Sequence, residues 1–157
     1  MAKRKRGSNL ADNRRARRRY EFLEKFEAGI VLSGAEVKSC RAGRVHLTDA
    51  YAGVSNGELW LHNVHISPYS HATIGNTEPV RPRKLLMHRR EIDRIDRKSR
   101  TKGLTLVPTR VYASNGRIKF EIALARGRRV HDKRDEKRQA IEKSEAREAL
   151  ARRRGRR

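Results

Sequence analysis

Six histidines raise the question of a metal site. The closest pair is His62 and His65, in the stretch His62-Asn63-Val64-His65. On a strand, residues three apart leave by opposite faces, so this pair cannot share one ion. His71 is split from His65 by a proline-containing loop, and no cysteine or carboxylate cluster completes a ligand set. The histidines are therefore assigned a structural or nucleic-acid-facing role, and no metal or other cofactor is expected. Ser33, Ser39 and Ser55 have no readable histidine and acid partners, although triads rarely show in sequence spacing. A Gly-rich phosphate loop of the Walker or Rossmann type is absent. The chain is not expected to be an enzyme.

Arginine carries the stronger chemistry. Arg14, Arg15, Arg17, Arg18 and Arg19 form one cluster, and Arg81, Arg83, Lys84, Arg89 and Arg90 form another. A guanidinium holds a phosphate through two parallel hydrogen bonds and also stacks on flat rings. The whole chain is basic: 40 Lys and Arg against 18 Asp and Glu in 157 residues, a net charge of +22. Such a charge repels itself unless a partner neutralises it. Nucleic acid does so with release of counterions. A membrane partner is discounted, because no long apolar run exists and neither extension pairs a basic face with a bulky apolar one. Aromatic residues are only 5% of the chain, which argues against binding by base stacking alone. Recognition of folded RNA by shape and backbone fits better. The basic start, MAKRKRGSN, has no apolar segment behind it, so no signal peptide is expected. One cysteine, Cys40, excludes an internal disulfide, and the protein is expected in the cytoplasm.

These residues must be positioned by a small core. Residues 1–12 are basic and are expected to be disordered. Asp12 or Asn13 caps a short helix through Tyr20. From Tyr20 to Leu32 apolar residues recur mostly at even spacing, which is strand periodicity. Ser33 and Glu36 form a capping box for a helix that ends near Gly43. Strands are expected over 46–54 and 58–66, joined by Asn56-Gly57 as a hairpin. A proline-punctuated loop fills 67–82. Arg83–His88 is either a short strand or a helix start, and Arg89–Arg97 is helical. A second hairpin joins Leu104–Ala113 to Ile118–Ala125 through Asn115-Gly116. About six strands with regular turns and two or three short helices imply a mainly β fold. The expected architecture is a small six-stranded antiparallel OB-like Greek-key barrel over residues 13–127.

Residues 128–157 form a separate tail, with thirteen Lys and Arg against six Asp and Glu, a net of +7. Little apolar area is available to offset ordering entropy, so the free tail is expected to be disordered. It nevertheless lacks proline, has glycine only at 155, and is rich in helix formers. Glu148 and Arg152 stand at i,i+4 in the favourable order. A polyanionic surface would tip it to helix.

The stretches NRRARRRYEFLEKFEAGIVLSGAEVKSCRAG, ELWLHNVHISPYSHA, RPRKLLMHRREI, GLTLVPTRVYASNGRIKFEIALARG and VHDKR cover most of residues 13–134. In this order they resemble the SsrA-binding protein family (small protein B), bacterial partners of transfer-messenger RNA. The resemblance implies binding to the tRNA-like domain of that RNA, in a one-to-one complex with monomeric protein. It also implies delivery to stalled ribosomes, where the tail lies as a helix in the empty mRNA channel. RNA contacts would fall on Asn13, Glu27 and Leu86, beside the basic Arg14, Arg15, Arg17, Arg83 and Lys84. His131, Asp132, Lys133 and Arg134 would meet the small-subunit decoding centre. Glu27 has a second reading as an orderer of nearby arginines, and Leu86 as a core residue. Cys40 stands where the family usually has leucine, and Ala149-Leu150 where bulkier apolar pairs are common. A general OB-type RNA chaperone or ribosomal protein is the alternative reading, and an RNA-processing nuclease a third.

Overall fold

The computed structural model describes residues 8–70, 78–101, 103–128 and 130–155; for residues 130–133, 135 and 136 it describes the backbone alone. The chain divides into two compact units, residues 1–127 and 128–157. The first holds β1 (Asn9–Asp12), α1 (Arg14–Arg19), β2 (Tyr20–Ile30), α2 (Gly34–Arg41), β3 (Val45–His46), β4 (Tyr51–Ser55) and β5 (Glu58–His62). It continues with β6 (His65–Ile66), β7 (Arg83–Leu86), α3 (Arg89–Ser99), β8 (Leu104–Ser114) and β9 (Arg117–Gly127). The second unit is α4 (Val130–Arg154).

The strand order is circular. β8 pairs with β4, β4 with β5, β5 with β7, β7 with β2, β2 with β9, and β9 again with β8, all antiparallel. Six strands thus close into the expected barrel, and closure removes the exposed edges an open sheet would have. The order β2-β7-β5-β4 sets the first strand beside the last of a three-strand run, which is a Greek key. Both hairpins turn as their Asn-Gly pairs require. Asn56 and Gly57 have φ of 50° and 74°, and Asn115 and Gly116 have 51° and 73°. Positive φ at both central residues matches the twist of the flanking strands.

The barrel is filled by Ala28, Leu59, Leu61, Leu85, Leu106, Val111, Phe120 and Ile122, all nearly solvent-free. α3 lays Ile92 and Ile95 against this core. α2 begins at the expected capping box: Glu36 N–H donates to Ser33 Oγ at 3.2 Å, and Ser33 N–H donates to Glu36 Oε1 at 3.0 Å. Cys40 is fully buried in the core, where it packs as a small apolar side chain. Burial pushes its thiol up to about 12.

The structure differs from the sequence reading in three places. Residues 9–12, expected to be disordered, pair with β8 as β1. Asn and Asp are poor strand formers; β8 meets β4 only at Leu106, and its stretch Arg110–Tyr112 on that side supplies the pairing. The strand expected over 46–54 is two pieces, because residues 47–50 turn back with Ala50 N–H donating to Leu47 O at 3.0 Å. The strand expected over 58–66 also breaks, at Asn63, whose φ is 62°. β3 and β6 then pair as a separate two-stranded sheet. The loop expected over 67–82 lies partly outside the described residues, as does His71. Among the described residues, no helix is long and apolar enough to cross a membrane.

Candidate nucleic-acid interface

α1 exposes Arg14, Arg15, Arg17, Arg18 and Arg19 and buries only Ala16. Arg15 reaches Asp49 at 3.7 Å and Arg17 reaches Asp12 at 3.2 Å, both through exposed, screened pairs. Asn13 fixes this helix. It is the N-cap, accepting from Ala16 N–H at 3.1 Å. Its amide donates to Leu47 O at 3.1 Å and Pro108 O at 2.9 Å, and its backbone N–H donates to Thr109 O at 2.8 Å. The side chain is buried and both amide hydrogens are engaged. Asn13 therefore holds the arginine helix in place rather than presenting a free group to a ligand.

A second site lies at the other end of β2. Cross-strand register places Leu86 of β7 beside Gly29 of β2, Gly29 beside Lys119 of β9, and Lys119 beside Tyr112 of β8. These four residues form one row across the outer face of the barrel. Glu27, two residues before Gly29, belongs to the same face because side chains alternate along a strand. Leu86 is half exposed, so it is a surface residue and not core. Glu27, Gly29, Leu86 and Lys119 line one open groove with Lys25, Phe26, Met87 and His88. A second groove shares Gly29, Leu86 and Lys119 and continues over Arg117.

The electrostatics of this face are layered. Glu27 stands directly opposite Glu121, an arrangement that like charges disfavour. Each carboxylate has its own partners. Glu121 accepts from Thr109 at 2.8 Å and from Arg110 at 3.0 Å, and pairs with Lys25 at 3.4 Å. Burial raises its pKa, but those hydrogen bonds and cations carry it below the ordinary carboxyl value. Glu27 accepts from the Tyr112 hydroxyl. Burial and that bond to a carboxylate hold the phenol well above its usual range. Glu27 stays exposed, with acceptor capacity beyond the tyrosine.

Arg83, expected from its basic cluster to contact phosphate, is instead 1% exposed. Its Nε donates to Glu36 Oε2 at 2.6 Å, and its terminal nitrogens donate to Val64 O at 2.8 Å, Arg81 O at 3.1 Å and Pro79 O at 2.9 Å. Arg81 also donates to Glu36. The arginine is the inner half of a buried pair that ties α2 to β7. Glu36 is raised by burial and lowered more by Arg81, the Ser33 backbone and Arg83, ending below the ordinary carboxyl value. Lys84, next along the strand, points outward and reaches Glu58 at 3.0 Å. The adjacent Arg83 and Lys84 thus separate into anchor and surface cation.

α4 is helical from Val130, and each of its described side chains is exposed, Arg134 included. His131, Asp132 and Lys133 fall in its first turn, with side chains outside the described residues. Three other histidines sit in ring contacts: His62 stacks on Tyr51 at 5.0 Å, and His46 lies 5.8 Å from His65. Among the described residues, no group of three or more His, Cys, Asp or Glu is placed to hold a metal.

The protein-family model described as SmpB protein matches residues 10–152. The chain belongs to the SmpB family. Relatives in the family include the SsrA-binding protein of Desulforudis audaxviator, 53% identical over 143 residues and covering 91% of each chain. That of Carboxydothermus hydrogenoformans is 56% identical over 127 residues, or 81% of this chain and 85% of the other. That of Thermobifida fusca is 54% identical over 145 residues, or 92% and 91%. A chain of the solved structure "tmRNA-SmpB: a journey to the center of the bacterial ribosome" is 48% identical and superposes with a TM-score of 0.66. That likeness covers 76% of this chain and 85% of that one.

Of the site residues expected from the family motifs, the fold brings Glu27 and Leu86 into one groove and sets Asn13 apart beneath α1. Sequence reading missed Lys25, Gly29, Tyr112 and Lys119. Alternation along β2 would have put residues 25, 27 and 29 on one face. Their meeting with 86, 112 and 119 depends on strand order.

Proposed function

We propose that this chain is an RNA-binding factor of trans-translation. It binds the tRNA-like domain of transfer-messenger RNA and delivers it to stalled ribosomes in the cytoplasm, as a monomer in a one-to-one complex. The observation that carries this reading is the outer-face groove of Glu27, Leu86 and Lys119, in a chain whose family relatives are named for SsrA binding. Leu86 offers an apolar contact, Glu27 an acceptor for a base N–H, and Lys25 and Lys119 charge for phosphates. Arg14, Arg15, Arg17 and Lys84 add exposed cations that position the RNA by its backbone. Asn13 and Arg83 act through the fold that presents these groups. In this reading the groove's role is binding, and its apolar, acceptor and cationic groups serve that role.

The tail has a separate role. His131, Asp132, Lys133 and Arg134 meet the decoding centre, and the rest of α4 lies in the empty mRNA channel. A helix polar on every side, as this one is, suits a channel walled by phosphates. In the free protein the segment is largely unfolded, and RNA stabilises the helix. Band-shift competition tests the binding role. Transfer-messenger RNA is expected to displace an unrelated structured RNA of equal size. Equal affinity for both would leave only a general RNA chaperone.

A further inference from the structure

Gly29 has no side chain at the centre of the row Leu86–Gly29–Lys119. Adjacent strands lie about 4.8 Å apart, so the missing side chain opens a trough about 10 Å wide between Leu86 and Lys119. Gly29 lines both grooves that meet there. A Cβ built on it comes within 3.3 Å of Leu86 Cβ and 3.7 Å of Leu86 O. Any side chain would thus push on Leu86 and raise the floor of the trough. The backbone itself does not ask for glycine, because Gly29 is not among the residues of positive φ. Glycine inside a strand costs stability relative to alanine, and a close approach by a ligand is a common reason for one.

Resting on the RNA reading above, we propose that Gly29 is a positioning residue that makes a one-nucleotide subsite. An unpaired nucleotide lies across the glycine floor, its base packed on Leu86. Exocyclic N–H groups of the base face Glu27, and its phosphate faces Lys119 and Lys25. Apolar, acceptor and cationic groups sit in the order that base, base edge and phosphate demand. Gly29 sets the depth of the trough and the exposed pose of Leu86, which is 50% exposed.

The test separates binding from stability. Full-length G29A is compared with wild type by filter binding to transfer-messenger RNA and by thermal unfolding. Affinity is expected to fall roughly tenfold, the scale of loss at a contact that matters. The melting temperature is expected to move little, since the gain from alanine in a strand is offset by its 3.3 Å contact with Leu86 Cβ. L86A alone should weaken binding, and G29A added to L86A should cost little more, because both act on the same shelf. Wild-type affinity in G29A would overturn the subsite. So would a full additional loss in the L86A background, or a lowered melting temperature that accounts for the weaker binding. Wild type that fails to prefer transfer-messenger RNA would defeat the functional reading alone. The same variants would then be read on whichever RNA the wild type binds.

Discussion

The Asn13 amide ties three backbone segments together: α1, the turn at Leu47 and β8 at Pro108. N13A removes a helix cap and strands two buried carbonyls, a loss of about 2 kcal/mol by urea unfolding. Weaker RNA binding in that variant follows from a loosened α1. Unchanged urea stability would instead make Asn13 a direct contact. Arg83 is the harsher case. R83A leaves the buried Glu36 carboxylate with a lost partner and should cost about 3–5 kcal/mol. Lys84→Ala, one residue away on the outer face, should leave the unfolding midpoint nearly unmoved. Glu36 also sets an acid limit. Its folded pKa lies below the ordinary value of 4.5, so the unfolded chain takes up the proton first. Its stabilising contribution is complete above the ordinary carboxyl range and is lost as pH falls through the folded value. Urea midpoints measured from about pH 6 down to about pH 3 should therefore fall, and E36Q should flatten part of that slope.

Among the elements, α2 and α4 are opposites. α2 is eight residues long and is held by its capping box, by buried Cys40 and by the Glu36 anchor. S33A should cost about 1 kcal/mol, the usual size of a lost N-cap. α4 is 25 residues long and its described side chains bury nothing. Propensity and i,i+4 pairs, such as Glu148 with Arg152 at 3.9 Å, are its intrinsic supports. Such a helix is marginal in water. A peptide of residues 128–157 should show weak helical circular dichroism in dilute buffer and a strong gain on adding RNA. A fully helical peptide without RNA would refute folding on binding.

For the whole molecule, the division at Gly127 predicts a division of labour. Removal of residues 128–157 should leave the barrel's melting temperature and its affinity for transfer-messenger RNA nearly intact. Tagging on stalled ribosomes should be abolished in the same variant; normal tagging would remove the tail from the mechanism. Full-length binding should weaken steeply with added salt, because each phosphate contact releases counterions.

Much of this was legible in local sequence. The two Asn-Gly hairpins, the Ser33–Glu36 capping box, the Ile92 and Ile95 face of α3 and the helix-forming tail each depend on residues close in the chain. Net charge and the arginine clusters gave the class of partner for the same reason, since charge does not need a fold to be counted. What the tertiary structure decided was the fate of individual side chains. Arg83 and Lys84 are adjacent and alike in charge, yet strand alternation sends one into the barrel wall and the other outward. Asn9–Asp12 became a strand only because β8 runs on past its pairing with β4 at Leu106 and offers Arg110–Tyr112 on that side. Glu27, Gly29, Leu86 and Lys119 are up to 92 residues apart in the chain. They share a groove because barrel closure sets β2 between β7 and β9, and pairing register is fixed by the whole sheet and not by any one segment.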